Sequence, residues 1–249
     1  MPARLNCELP GLFITGTDTG VGKTWVSAQI VQALRRRKTR VGVVKPAATG
    51  LDPAGPLPTD SDAAILTQAL GWPVPVDLIN PIRLVAPLAP PVAARLEGNT
   101  LEYPELLRRV QESIQGWSLL ADVMLVEGVG GLLCPLAEQK AVADLAIECD
   151  FPLVIVARRG LGTLNHTLLT VEAARLRGLR IAGVILNGSE PTGADPRAEQ
   201  TNADELSRWL EKEPILAEIP HQASGSLVAS IFDSIDWQSF AMRSRRCSS

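Results

Sequence analysis

The sequence predicts an α/β fold, a single doubly wound domain whose mostly parallel sheet carries helices on both faces. Three observations lead there. Short apolar runs alternate with segments of helical spacing along almost the whole chain, the pattern that builds parallel sheets with crossover helices. One run, Leu153-Val154-Ile155-Val156-Ala157, is continuously apolar, as a strand covered on both faces must be. The first run, Leu12-Phe13-Ile14, passes straight into Gly16-Thr17-Asp18-Thr19-Gly20-Val21-Gly22-Lys23-Thr24, and then into a segment where Val26, Ile30, Ala33 and Leu34 share one helical face.

Strand, glycine-rich turn, helix is the setting of a phosphate-binding loop. Glycines let successive backbone N–H groups point into one concavity, the helix start adds partial positive charge, and Lys23 brings a full charge to the outer phosphates. Thr24 offers its hydroxyl to Mg²⁺. The common pattern G-x-x-x-x-G-K-[ST] wants glycine where this chain has Thr17; the glycine stands one residue earlier, at Gly16.

A length of 249 residues leaves one large domain or two small ones open. The unbroken alternation selects one, expected over residues 10–240, with 1–9 and 241–249 as flexible ends. Hydrophobic residues at 46% and charged residues at 20% exclude disorder for the bulk of the chain, and a net charge of −3 gives no reason to expect a nucleic-acid partner. Cys7, Cys134, Cys149 and Cys247 are too scattered for a zinc site or a disulfide scaffold and read as reduced thiols of a cytoplasmic protein. The apolar runs are too short to span a membrane, and Met1 to Pro10 lacks the apolar region of an export signal.

Further along, the first helix ends in Arg35-Arg36-Arg37-Lys38, a cluster suited to a helix C-terminus. Val41 to Val44 is expected as the second strand, with Lys45 at its C-terminal end, where ligands of open α/β sheets collect; Thr49 follows closely. Residues 46–91 are proline-rich and expected as loops around short helices, one of them capped at Thr59-Asp60-Ser61-Asp62. A helix with Leu106, Leu107, Val110 and Ile114 on one face leads to Val123 to Glu127, an apolar strand ending in an acid that is placed to reach Mg²⁺. After Leu153 to Ala157 comes a helix carrying Leu169, Ala173 and Leu176, then a strand from Ile181 to Asn187, a helix around Ala198 to Leu210, and an apolar piece from Ile215 to Ile219. His166 and His221 are assigned structural hydrogen-bonding roles.

Taken in order, these pieces resemble the dethiobiotin synthetases, ATP-dependent carboxylating ligases of biotin synthesis with a P-loop NTPase fold. The resemblance rests on the Gly16 to Thr24 loop, Lys45-Pro46-Ala47-Ala48-Thr49-Gly50, Asp60-Ser61-Asp62-Ala63, Asn80-Pro81, Val126-Glu127-Gly128-Val129-Gly130-Gly131, Leu161-Gly162-Thr163-Leu164-Asn165-His166 and Asn187. Thr49 stands where serine is frequent, Gly20 where glutamate occurs and Val129 where alanine is usual. The resemblance implies that diaminopelargonic acid, CO₂ and ATP give dethiobiotin, ADP and phosphate. It assigns catalysis to Lys45, Lys23 and Thr19; ATP to Thr17, Asp18, Thr19, Gly20, Val21, Gly22, Lys23, Thr24, Glu127, Gly128, Gly130, Asn187 and Pro220; and Mg²⁺ to Thr24, Asp62 and Glu127. The diamine substrate falls to Thr49, Lys45, Gly160, Leu161, Gly162, Thr163 and Asn165. It also implies a homodimer with sites at the interface. Asn187, with donor and acceptor on one amide, suits the edge of adenine.

Two rivals predict other residues. A partitioning or cell-division-site ATPase carries a lysine five residues before the loop lysine, where this chain has Asp18, and a small nucleotide kinase predicts an arginine-rich lid, where residues 46–91 hold only Arg83.

Overall fold

A computed structural model of the chain describes residue 5 and residues 7–189, 196–210 and 212–242. Its centre is a six-stranded sheet in which every neighbouring pair is parallel. In chain order the first half comprises β1 (Gly11–Gly16), α1 (Lys23–Arg36), β2 (Val41–Val44), β3 (Ala47–Thr49), α2 (Asp62–Leu70), α3 (Val76–Ile79), β4 (Ile82–Leu84), α4 (Pro90–Leu96), α5 (Tyr103–Trp117) and β5 (Val123–Glu127). The second half comprises β6 (Pro135–Ala137), β7 (Lys140–Ala141), α6 (Val142–Cys149), β8 (Leu153–Arg158), α7 (Thr163–Leu176), β9 (Ile181–Asn187), α8 (Pro196–Leu210), β10 (Ile215–Ile219), α9 (Gly225–Asp233) and α10 (Trp237–Ala241).

The sheet order is β10-β9-β8-β1-β5-β2. From β1 the chain moves one way to β2, and from β2 through β5, β8, β9 and β10 it moves the other way. Right-handed crossovers therefore put α1 on one face and α5, α6, α7 and α8 on the other, which is the doubly wound arrangement. The last two helices return to the α1 face, where α9 and α10 pack on α1. β1, β2 and β5 are buried along their whole length, which is why their apolar runs are unbroken.

The proline-rich stretch holds more order than its composition suggests. β3 and β4 pair in parallel as a small separate sheet, and Asn80, fully buried, joins it to the main one by donating its amide to Lys45 O and Ile82 O. The basic end of α1 ties helices together: Arg35 donates to Ala69 O of α2, Arg36 pairs with Asp233, and Arg37 donates to Asp233 O.

The stretch before β1 is anchored at Leu5 and Cys7, which are buried, with Leu5 N–H donating to Glu148 O; at the other end Ala241 is buried in α10. The tail Arg243 to Ser249 lies outside the described residues. The helix expected to carry Leu169, Ala173 and Leu176 is α7, and its buried residues are Thr163, Thr167, Thr170, Val171 and Ala174. Leu161, Leu169 and Leu176 point outward, at 89%, 60% and 81% exposure.

Candidate active site

The phosphate loop connects β1 to α1 and sits at the C-terminal edge of the sheet. Thr17 N–H continues the sheet by donating to Val156 O, Val21 is fully buried, and Gly22 caps α1 with φ 87°. Asp18 and Thr19 are exposed at the tip, where Asp18 Oδ1 accepts from Thr19 N–H and Asp18 Oδ2 pairs with Arg158 at 3.3 Å. Gly20 has φ 75° with nothing near the position of a Cβ. Lys23 is buried and folds back, its Nζ donating to Asp18 O at 2.9 Å. Burial, and secondarily the Lys45 charge, lower its pKa from the ordinary 10.5 to about 8.

Beside the loop, two strands and a helix start deliver a cluster of charge. Lys45, just past β2, places its Nζ 2.7 Å from Glu127 Oε1 at the end of β5, 2.9 Å from Asp62 Oδ2 at the start of α2, and 3.2 Å from Gly128 O. Asp62 is held there because Ser61 caps α2, its hydroxyl accepting from Ala64 N–H. Thr24 Oγ1 lies 2.7 Å from Asp62 Oδ1 and 2.7 Å from Glu127 Oε1. Burial alone would lower the Lys45 pKa, but Glu127 and Asp62 outweigh it and raise it to about 12. Burial would raise that of Asp62, and Lys45, Thr24 and Lys23 together bring it below its ordinary value.

This cluster fits a magnesium ion. One hydroxyl proton on Thr24 serves two carboxylate oxygens, and Glu127 Oε2 is buried with no hydrogen-bond partner. The two carboxylates accept from one ammonium and one hydroxyl, so acceptors are in excess. Among the described residues no group of three or more His, Cys, Asp or Glu could hold a metal. Two carboxylates and a hydroxyl instead suit a hard ion that keeps waters and substrate phosphates in its shell.

A cavity of about 340 Å³ opens over this cluster, lined by Thr19, Gly20, Gly22, Lys23, Thr24, Lys45, Thr49, Asp62 and Gly130 among others. A second, of about 370 Å³, lies on the other side of the loop between Thr17–Thr19, Gly131–Cys134 and the α7 residues His166 and Thr170. A larger open groove of about 930 Å³ between β4 and α5 contains none of the candidate residues.

Asn187 and Pro220 end up side by side because β9 and β10 pair with Asn187 opposite Ile219. Asn187 is buried and already donates through Nδ2 to Val21 O at 2.9 Å, while its backbone O accepts from Arg159 N–H. It keeps one N–H and Oδ1 for a base, and it braces the phosphate loop as well. His221 Nδ1 lies 3.0 Å from Gly188 O in the same corner.

The segment Gly160 to Asn165 forms the start of α7, with Gly162 at φ 89° and no side-chain cap, and it lines neither of the two smaller cavities. The structure thus gathers the loop with Lys45, Thr49, Asp62 and Glu127, sets Asn187 and Pro220 at its far edge, and leaves the α7 start apart from the Lys45 cavity within one chain. One positioned residue has no motif to announce it. Asn202 of α8, buried, donates its amide to Arg159 O at 2.7 Å and Gly160 O at 3.3 Å. In a planar trans peptide the C=O and the following N–H point opposite ways, so these bonds aim the Gly160 and Leu161 N–H groups away from α8.

Fold and site together define a P-loop nucleotide-using protein of the doubly wound kind. The same fold appears in the septum site-determining protein MinD of Pyrococcus horikoshii, solved with Mg-ADP, at a TM-score of 0.51 and 17% identity over 93% of this chain and 97% of that one. The cell division ATPase MinD of Pyrococcus furiosus matches at a TM-score of 0.50 and 17% identity over 91% and 98%. A family model described as an AAA domain matches residues 10–226. The ATP-dependent dethiobiotin synthetase BioD of Anaeromyxobacter sp. (strain K) is 44% identical over 205 residues, 82% of this chain and 87% of that protein. Its counterpart in Bacillus licheniformis is 38% identical over 205 residues, 81% and 82% of the two chains. The chain belongs to the ATP-dependent dethiobiotin synthetase family.

Proposed function

We propose that this chain is an ATP-dependent cyclo-ligase that forms dethiobiotin, and that it does so with the residues gathered around the phosphate loop. One observation carries the assignment of roles: the buried contact of Lys45 with Glu127 and Asp62, directly beside Lys23 and Thr24. One amine of diaminopelargonate adds to CO₂ and loses a proton to become a carbamate. The carbamate oxygen attacks the γ-phosphorus as the bond to ADP breaks, and the second amine then attacks the carbamoyl carbon, closing the ureido ring as phosphate leaves.

Loop amides and Lys23 bind the triphosphate, with Thr19 at the exposed tip of the loop. Thr24, Asp62 and Glu127 hold Mg²⁺, which when bound neutralises phosphate charge. Lys45 stabilises negative charge passing between carbamate and phosphate, and Thr49 hydrogen-bonds the carbamate. Asn187 and Pro220 take the adenine. The α7 start receives the substrate carboxylate on free N–H groups.

A homodimer is part of the same proposal, with the α7 start of one subunit completing the site of the other. The outward Leu161 at that start, with Leu169 and Leu176 further along α7, supports it, these being apolar side chains that a second subunit would cover. A cytoplasmic setting is proposed from the scattered thiols, and among the described residues no helix is long and apolar enough to cross a membrane. The switch-ATPase alternative gains nothing from Asp18, which pairs with Arg158 where that class has its lysine.

The decisive experiment supplies purified protein with ATP, Mg²⁺, bicarbonate and diaminopelargonate and follows phosphate and dethiobiotin together. Equimolar formation of both is expected. Phosphate release indifferent to the diamine, with no dethiobiotin, would overturn the proposal, and a monomer at assay concentrations would remove the shared site.

A further inference from the structure

The carboxylates proposed to hold the metal already hold a cation. Lys45 Nζ contacts Glu127 Oε1, Asp62 Oδ2 and Gly128 O, so its three N–H donors each meet an oxygen. The Lys45 side chain is only 5% exposed, and that of Glu127 is fully buried. Glu127 Oε1 is also the oxygen that Thr24 contacts, so the ammonium and the proposed metal shell share a ligand atom.

We propose that the Lys45 ammonium and the divalent cation are alternative occupants of the Asp62–Glu127 pair, and that arrival of the metal turns Lys45 out toward the transferring phosphoryl group. This rests on the assignment of those carboxylates to the metal. A metal bound to Oε1 at its usual short distance would lie within a few ångströms of an ammonium still bonded to the same oxygen, two cations pressed together in a buried site. Charge counting gives the direction of exchange. In the free site the two carboxylates are balanced by Lys45 and the nearby Lys23, whereas with a divalent ion they are neutral by themselves and offer Lys45 no counter-charge. The anion then left for a buried ammonium is the phosphate or carbamate in the cavity that Lys45 lines together with Lys23 and Thr49.

The movement is confined to the side chain. Lys45 N–H donates to Ile79 O at 2.6 Å and Lys45 O accepts from Asn80 Nδ2 at 2.7 Å, which pins the backbone while the four-carbon stem rotates. The charge that assists transfer is thereby withheld until metal is in place. A site loaded with carbamate but no metal keeps Lys45 clasped.

The test uses Mn²⁺ as a paramagnetic stand-in and measures its binding to the full chain without nucleotide, by the electron paramagnetic resonance signal of the free ion. Lys45→Gln, which keeps most of the side chain's length without its charge, should bind Mn²⁺ at least tenfold more tightly than wild type. Equal or weaker binding by a folded Lys45→Gln overturns the exchange. Adding Glu127→Gln to that variant should abolish the gain; tight binding that survives it places the metal elsewhere and sinks the metal assignment itself. If Lys45→Gln does not fold, the wild type decides. The ¹⁵N-labelled Lys45 ammonium, slow to exchange because it is buried, should shift its resonance on saturation with Mg²⁺ and ADP, and an unmoved resonance counts against exchange.

Discussion

Lys23 must carry a proton to bind a triphosphate, yet the fold places its free-state pKa near 8, chiefly through burial. The sign of each consequence follows. Between about 8 and the ordinary 10.5 the folded chain holds less than the unfolded chain's complement of protons, so this group makes folding stability rise with pH across that window. Triphosphate capture runs the other way, because only the protonated fraction attracts the phosphates. With a pKa of about 8 that fraction is about three-quarters at pH 7.5 and about a tenth at pH 9, so kcat/KM for ATP should fall by about eightfold between them. The measurement is a pH profile of kcat/KM for ATP at saturating Mg²⁺, bicarbonate and diamine. Lys45→Gln supplies an internal control: the Lys45 charge helps lower the Lys23 pKa, so its removal should move the break to higher pH, even on a much smaller rate. A profile flat to pH 9.5 would refute the reasoning. Lys45 itself offers no such handle, since its stabilising contribution is intact below 10.5 and is lost only as pH rises through about 12.

Glu127→Gln and Asp62→Asn should each raise the Mg²⁺ needed for half-maximal rate by about tenfold or more, since even outer-shell changes at metal sites cost that much; an unchanged requirement returns the residue to a purely structural role. Asn187→Ala removes both the proposed base contact and the bond to Val21 O, so the KM for ATP should rise about fivefold, the worth of about one hydrogen bond, and the preference for ATP over GTP should narrow. An unaltered ratio of the two nucleotides would mean that the base is read elsewhere. Asn202→Asp turns a donor into an acceptor facing two carbonyls, so KM for the diamine should rise about tenfold with KM for ATP unchanged. Proportional losses for both substrates would mark Asn202 as a general stabiliser only.

Five of the six main strands were legible because a buried parallel strand leaves an apolar run, while the edge strand β10, which exposes Glu218, showed only as an apolar piece; Lys45 and Glu127 could be located because they lie at the ends of such runs. The pairs β3–β4 and β6–β7 were not. They are two or three residues long, and their pairing is decided by what the surrounding chain packs against them. The inner face of α7 was not legible either, for a chemical reason. Its inner threonines satisfy their own hydroxyls, Thr163 with Thr167 and Thr170 with His166 O, so they serve as core residues while hydropathy points to the leucines outside. Asn202 sits mid-helix without any motif, and only the approach of α8 to the β8–α7 loop gives its amide a task.

The bond from Asn187 to Val21 has a consequence for how the family's sequences can drift. A Cβ on Gly22 would fall 2.2 Å from Asn187 Nδ2, in a backbone conformation that already disfavours any side chain. Positions 22 and 187, remote along the chain, are therefore one heritable unit. A mutation at either is judged against the residue at the other, so a library that randomises the loop while holding Asn187 fixed will recover glycine at 22, and one that replaces both together can reach combinations closed to single steps.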